Sequence, residues 1–568
     1  MRKKHYYGVD FVKQREALLK SEAAKGFIDD VIAKADAAIE KTYEALKMSE
    51  YMEFYKSGNR SGFEQKYFER RNNASYICAA LWLTQDEKYV MPLVDHVFYI
   101  CDEFNWCLPA HAKMLEGNSL ESTMKVQDLF MAETARLLTD IAVAVGELLP
   151  DYVTERIRYE LDRRMFSAYR KPRDGRWARS NWSAVIPGGT LTALLHFGTK
   201  EDIELILPQL YRGIEAFLSG YGEDGCCFEG HGYWNYGFGY FAIFARMILE
   251  YTNGEVNYFK RDKVRAIATF GQKAYLGGGN VVSFSDSISK FRCSIGLMSY
   301  LKELYPESIE LPDLCYGALI GKIYSIKELL WFNPNYKADI ISNSSCYYSD
   351  AQWYIKKGKK FSFAAKGGHN RELHNHNDVG SFMMVVGNDV PLQDLGSGEY
   401  TKEYFDPDVR YTLLNTSSRG HSLPIIDGKY QLFGEEYKAA NVLATEDCFS
   451  LDIEGAYEKD LVKKLHRSFY IHEDGITIED RVEFSDKTRK VVERFVSTTK
   501  PDVLDGVIHL GTVALHFDKD RYQTSVSEEH YRTQVTLELI KVYLIDITSV
   551  RNDETEFKFD ILVSSEKF

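Results

Sequence analysis

No apolar stretch long enough to cross a membrane as a helix occurs in this 568-residue chain. The start, Met1-Arg2-Lys3-Lys4-His5-Tyr6-Tyr7-Gly8, is basic, but no apolar core follows it, so no secretory leader is read. Positive charge is outweighed: 70 Lys and Arg stand against 83 Asp and Glu, a net charge of −13. That balance argues against nucleic acid and against an anionic membrane as partners. Cysteine is sparse and odd in number, nine scattered residues with Cys226 and Cys227 adjacent. A disulfide framework is therefore not expected, and reduced thiols are. Low-complexity linkers and short repeats are missing too, which favours two closely packed domains over beads on a string. Together these absences place the chain, as it stands, in the cytoplasm, or in the periplasm or outside the cell if a leader has been removed.

What is present is globular: 45% hydrophobic and 27% charged residues, in a length that suits two or three domains. Aromatics reach 14%, with 38 Tyr and 33 Phe. Sugar-binding clefts use such rings for stacking; a tyrosine-rich core with an amphipathic rim accounts for them equally well. Before residue 335 the periodicity is helical. In Gln127–Leu148 the residues Phe130, Thr134, Leu137, Leu138, Ile141 and Val145 share one face. Similar patterns run through 25–48, 86–103, 201–219 and 238–252, and predict helical hairpins packed in an α/α array. After 335 the alternation has period two. Ile476 to Phe484, after the turn Glu473-Asp474-Gly475 and the run Ser468–Ile471, predicts an antiparallel hairpin. Phe361–Ala365, Ser381–Val386, Val491–Val496, Val507–Phe517 and Tyr543–Val550 extend the theme to a β-sandwich. The expected division is 1–335 helical and 336–568 β-sandwich.

The densest polar cluster is His369-Asn370-Arg371-Glu372-Leu373-His374-Asn375-His376-Asn377-Asp378. If the backbone there is extended, His374 and His376 lie on one face, able to share a metal or to divide metal and substrate between them. Asp394 precedes Gly396 and Gly398, and reads either as a carboxylate ligand or as a turn-starting Asp. His421 follows a polar loop. His376, Asp394 and His421 make a His₂-carboxylate set that suits Zn²⁺ or a similar divalent ion. The helical half carries three aromatic-polar patches: Asn105-Trp106 to His111; Ser180-Asn181-Trp182-Ser183 with Gly188-Gly189; and Asp224 to Gly237, with Glu229, Tyr233, Trp234 and Tyr236. Their glycines suit close approach to a ligand and their rings suit stacking, though each ring taken singly can plug a helix–loop junction.

In order along roughly residues 100 to 430 stand Asn-Trp then Gly-Gly, Glu-Gly-x-Gly-Tyr-Trp-Asn-Tyr-Gly, His-Asn-His-Asn-Asp-x-Gly-Ser-Phe and Asp-x-Gly-x-Gly-x-Tyr-Thr. This pattern resembles the heparinase II/III family of polysaccharide lyases. The resemblance implies an incomplete α/α toroid followed by an antiparallel β-sandwich. It implies a structural divalent metal, most often zinc, with Mn²⁺ or Ca²⁺ as alternatives, held by His376, Asp394 and His421. His374 resembles the catalytic His and Asn181 the carboxylate neutraliser. The catalytic Tyr falls in the Tyr233/Tyr236 motif, with Tyr236 favoured, and Tyr404 or Tyr400 resembles a second active-site Tyr. Trp106, His111, Trp182, Glu229, Trp234 and Tyr400 are the expected substrate contacts.

These residue types fit β-elimination from a uronate, which removes the C5 proton and expels the O4-linked sugar. The carboxylate must be neutralised, a base must reach C5 and an acid must reach O4. Asn181 can stabilise the developing aci-carboxylate, His374 can share that task or take the proton, and Tyr236 can protonate O4 or act as both base and acid on one face. A hydrolase needs two flanking carboxylates instead. Asp224 and Glu229 are the candidates, but Asp224-Gly225 reads as a turn. A non-catalytic glycan binder would keep the aromatics without the Asn/Tyr/His set. The expected partner is a uronic-acid oligo- or polysaccharide: a glycosaminoglycan of low sulfation such as hyaluronan, chondroitin or heparosan, with alginate-like uronan behind it. Nothing in the pattern bears on oligomeric state.

Overall fold

The computed structural model describes residues 5–41, 43–112, 119–170, 177–290, 293–318, 326–339, 344–485, 487–534 and 536–564. The chain divides into two compact units: Met1–Tyr221 with Trp234–Ala268 and Arg292–Ile340, and Gly222–Tyr233 with Thr269–Phe291 and Ile341–Phe568.

The first unit is helical. Glu22–Ile39 packs on Ser61–Thr84, which packs on Val90–Asp102 and Leu129–Val145. Leu129–Val145 packs on Trp182–Phe197, and that helix packs on Lys200–Leu218 and Gly239–Tyr251. Each helix thus lies against near neighbours in sequence, the arrangement of serial hairpins. The helix starts are written locally. Asp128 accepts from Met131 N at 2.7 Å, and Thr199 forms a capping box with Asp202. The expected periodic stretches become helices, except that 25–48 ends at Ile39. Trp182–Phe197 departs from the expectation for Gly188-Gly189. Both glycines are inside this helix, and a Cβ on Gly189 would meet the Ala132 carbonyl oxygen at 2.4 Å. Their role is close helix–helix packing, not backbone approach to a ligand. No described helix is long and apolar enough to cross a membrane.

Among the described residues, the second unit holds antiparallel sheets of five, four and eight strands and two two-stranded ribbons. In the largest, Lys464–Ile471 pairs with Gly475–Glu483, Ile471 opposite Ile476, as the alternation and turn require. The stretch 507–517 is two strands, Val507–Leu510 and Val513–His516, because Gly511 turns the chain at a φ of 61°. The inward faces meet in a core of interlocking rings: Phe469 lies 5.3 Å from Phe363 and from Phe382, and Phe495 lies 5.3 Å from Phe559. Two segments from the helical half of the sequence, 222–233 and 269–291, fold with these sheets. Ser283 Oγ donates to the Asp394 carbonyl at 2.9 Å, and Ser397 N donates to the Ser287 carbonyl at 2.9 Å. Gly396 makes that approach possible: at φ 61° it faces the Ser287 carbonyl, and a Cβ would come within 1.9 Å of that oxygen. All nine cysteines carry free thiols.

Candidate active site

The loop after Ser362–Lys366 carries the histidine cluster. It is not extended. His374 has a φ of 57°, a left-handed conformation that is strained for a non-glycine residue. His374 and His376 therefore do not present a common strand face; they converge on one carboxylate, Asp286. His374 Nδ1 lies 2.7 Å from Asp286 Oδ2, and His376 Nε2 lies 3.1 Å from Oδ1. Tyr404 donates to Oδ1 at 2.5 Å, and Arg410 Nη2 reaches both oxygens at 3.1 and 3.2 Å. Asp286 is fully buried, which by itself raises a carboxyl pKa. The Arg410 charge and the two imidazoles outweigh burial and hold it well below the usual carboxylate range.

Two phenols also stand beside His374. The Tyr233 hydroxyl is 3.4 Å from His374 Nδ1, the two rings stack at 4.4 Å, and the Tyr233 and Tyr400 hydroxyls are 2.6 Å apart. Burial first, and then the Asp286 charge, push both phenols well above their ordinary value. Burial lowers the His374 pKa, but the Asp286 hydrogen bond and charge, with Glu229 adding in the same sense, leave it raised. Of the two candidate second tyrosines, Tyr400 is beside Tyr233, whereas Tyr404 is 1% exposed and directed at Asp286.

Behind His376 is a second cluster. His421 Nδ1 lies 3.1 Å from Asp394 Oδ2, and its Nε2 lies 3.0 Å from the Asn415 carbonyl. A carbonyl only accepts, so Nε2 carries the proton, and a neutral His421 would turn the Nδ1 lone pair onto a carboxylate. That contact calls for a proton or a cation. His376, donating from Nε2, has its buried Nδ1 without a hydrogen-bond partner among the described residues. Ligand atoms of His376, His421 and Asp378 lie within 4.8 Å of one another. Asp378 is also ion-paired with the buried Lys366 at 2.8 Å. The residues brought within ligand distance, His376, Asp378 and His421, fit a divalent cation; Asp394, the expected carboxylate ligand, meets them through His421 Nδ1.

The helical unit gathers the other expected residues. His111 Nδ1 is 2.7 Å from Asp128, and its ring meets Trp182 edge-on at 4.7 Å. Asn181 is buried directly before the Trp182–Phe197 helix, and a Cβ on Gly237 would come within 3.1 Å of the Asn181 Cβ. Tyr236 meets Tyr240 edge-on at 5.6 Å; burial and the Glu133 carboxylate push its phenol well up. Trp106 and Trp234 are fully buried, their indole N–H groups donating to the Ile100 and Ile267 carbonyls at 2.8 Å. Both rings pack the unit and turn no face to solvent. Asp224 accepts from Cys226 N at 3.0 Å and from Asp350 N at 3.2 Å, so it closes loops. Asp286 and Arg410 were not singled out from sequence. The one signal for Asp286 is a lone acid within Val281-Val282-Ser283-Phe284-Ser285-Asp286-Ser287.

A chain with a helical array and antiparallel sheets has an architecture that known proteins share. Residues 345–555 match the family described as Heparinase II/III-like, C-terminal, so the resemblance to that family is shown over this region. Among solved structures the chain is similar to heparinase III, at 14% identity, a TM-score of 0.62, and coverage of 87% of this chain and 76% of that one. It is similar to the heparan sulfate lyase HepC of Pedobacter heparinus, at 14% identity, a TM-score of 0.56, and coverage of 90% and 78%. It is also similar to the Streptomyces coelicolor A3 chondroitin AC lyase, at 10% identity, a TM-score of 0.55, and coverage of 98% and 83%. At these identities the likeness is one of fold. No curated protein matches the sequence.

Proposed function

We propose that this protein is a polysaccharide lyase that cleaves uronic-acid-containing glycans by β-elimination. The observation that carries the reading is the array in the sheet-bearing unit: Tyr233 beside His374 and Tyr400, with Asp286 on Nδ1 of the imidazole. His374 donates a hydrogen bond from Nδ1–H to Asp286, which leaves Nε2 as the basic atom for the C5 proton. Tyr233, its phenol kept protonated by burial and by Asp286, suits the acid role at the O4 leaving group better than the base role. Tyr400, hydrogen-bonded to it, can return the proton. On the helical unit, Asn181 and Tyr236 keep the roles that the resemblance implies, carboxylate neutralisation and a second candidate phenol. The fold likeness to lyases of heparan sulfate and chondroitin supports the same chemistry. Asp224, spent on loop hydrogen bonds, removes the main support for a hydrolase.

His376 and His421 with a carboxylate, Asp378 or the expected Asp394, would hold a divalent ion, zinc first. When bound, it would cross-link the loops around 374–378, 394 and 421 and supply positive charge there. For substrate we favour a glycosaminoglycan of low sulfation, because the chain is acidic overall. The test is incubation with hyaluronan, chondroitin, heparosan and alginate while following the short-ultraviolet absorbance of a C4=C5 double bond. The reading requires that absorbance on at least one polymer; new reducing ends without it would mean hydrolysis.

A further inference from the structure

Asp286 lies outside every motif in the sequence, yet four side chains converge on its carboxylate. Its carboxylate is buried and receives His374 Nδ1 at 2.7 Å, His376 Nε2 at 3.1 Å, the Tyr404 hydroxyl at 2.5 Å and Arg410 Nη2 at 3.1 and 3.2 Å. An ionised carboxylate only accepts hydrogen bonds, and Arg410 beside it keeps it ionised. Each imidazole nitrogen that faces it must therefore carry a proton. The two histidines meet it through different nitrogens, His374 through Nδ1 and His376 through Nε2. From these contacts we infer that Asp286 is a positioning residue that imposes opposite tautomers on His374 and His376, turning Nε2 of the first toward substrate and Nδ1 of the second toward the His421–Asp394 pocket. One side chain thus links the active imidazole to the cation pocket, with each oxygen serving one histidine. The left-handed turn at His374, with φ at 57°, brings two residues only two positions apart onto one carboxylate by different ring edges. Arg410 and Tyr404 hold Asp286 in place; Arg410 Nη2 also donates to the Asn375 carbonyl at 3.1 Å, between the two histidines. The catalytic half of this inference rests on the lyase reading, whereas the tautomers and the cation affinity do not.

The experiment uses the full chain labelled with ¹⁵N-histidine. His374→Gln and His376→Gln variants assign the two rings, and long-range nitrogen–proton correlation reads which nitrogen is protonated in metal-free protein. Wild type is expected to show Nδ1–H at His374 and Nε2–H at His376. Asp286→Asn, whose amide is near-isosteric, should mix the tautomers at both rings and weaken zinc binding, measured with Zn²⁺ alone against a chromophoric chelator, by roughly 10–100-fold. If uronan cleavage is found, kcat should fall in that variant by a similar factor with KM little changed. A His376 ring protonated on Nδ1 in the wild type would overturn the inference whether or not Asp286→Asn folds. Unchanged tautomers and zinc affinity in a folded Asp286→Asn would overturn it as well. Failure to cleave any uronan, with the tautomers as expected, would instead sink the lyase reading alone.

Discussion

The hydroxyls of Tyr233 and Tyr400, 167 residues apart in the chain, stand 2.6 Å from one another beside His374. A pair of phenols that close can pass a proton between them. Tyr233→Phe is expected to lower kcat on a cleaved uronan by about 10²–10⁴-fold, the usual worth of a positioned general acid. Tyr400→Phe should cost less, because Tyr233 retains His374 as a neighbour. Steady-state kinetics on folded variants checks both. Tyr236→Phe in the same series decides which phenol is the acid: a larger loss there than in Tyr233→Phe would move that role to the helical unit.

Asn181 is expected to act on the carboxylate only as charge develops. Asn181→Ala should therefore lower kcat by more than it raises KM, by about 3–4 kcal/mol of lost transition-state stabilisation. A change confined to KM would assign Asn181 to ground-state binding.

If His376, Asp394 and His421 hold an ion, exhaustive chelation should lower the melting temperature, and added Zn²⁺ should restore it. His421→Ala should lose the ion by elemental analysis. Ion content unchanged in His421→Ala would refute this ligand set.

Burial lowers the His231 pKa to about 4, against a contact with the Gly271 backbone that raises it. The folded protein therefore keeps this ring neutral at pH values where the unfolded chain, with a pKa near 6.5, takes up a proton. The stability this confers is complete above pH ~6.5 and is lost as pH falls toward about 4, to a limit of about 3 kcal/mol. The loss of thermal stability between pH 7 and pH 4.5 should be shallower in His231→Gln than in the wild type. Parallel profiles would contradict a neutral buried ring.

Gly189→Ala places a methyl group against the Ala132 carbonyl and should destabilise the protein by about 1–3 kcal/mol, read as a lowered melting temperature. A neutral result would mean that the Leu129–Val145 and Trp182–Phe197 helices can separate without cost.

The hairpin 464–483 was legible because one of its faces is buried, so apolar residues alternate. Ser61–Thr84 was not, because Arg70 and Arg71 are themselves buried, both paired with Glu103 at 3.1 and 2.7 Å, and polar residues on the inward face erase the period. Trp182–Phe197 was hidden for the opposite reason, being apolar all round. In the site, His374, His376, Asp394 and His421 announced themselves by type and spacing. Asp286 did not, since it lies 88 residues from His374 on a segment that the sequence alone assigns to the helical half. Which tyrosine stands beside His374 depends on a three-residue difference within the helical stretch from His231 to Phe238, and local pattern does not resolve that.

The most direct measurement is mass spectrometry of the oligosaccharide products formed in water enriched in heavy oxygen. Elimination adds no water, so every new non-reducing end should be an unsaturated uronate, and no new reducing end should carry the label. Saturated products with heavy oxygen at the anomeric carbon would contradict the account.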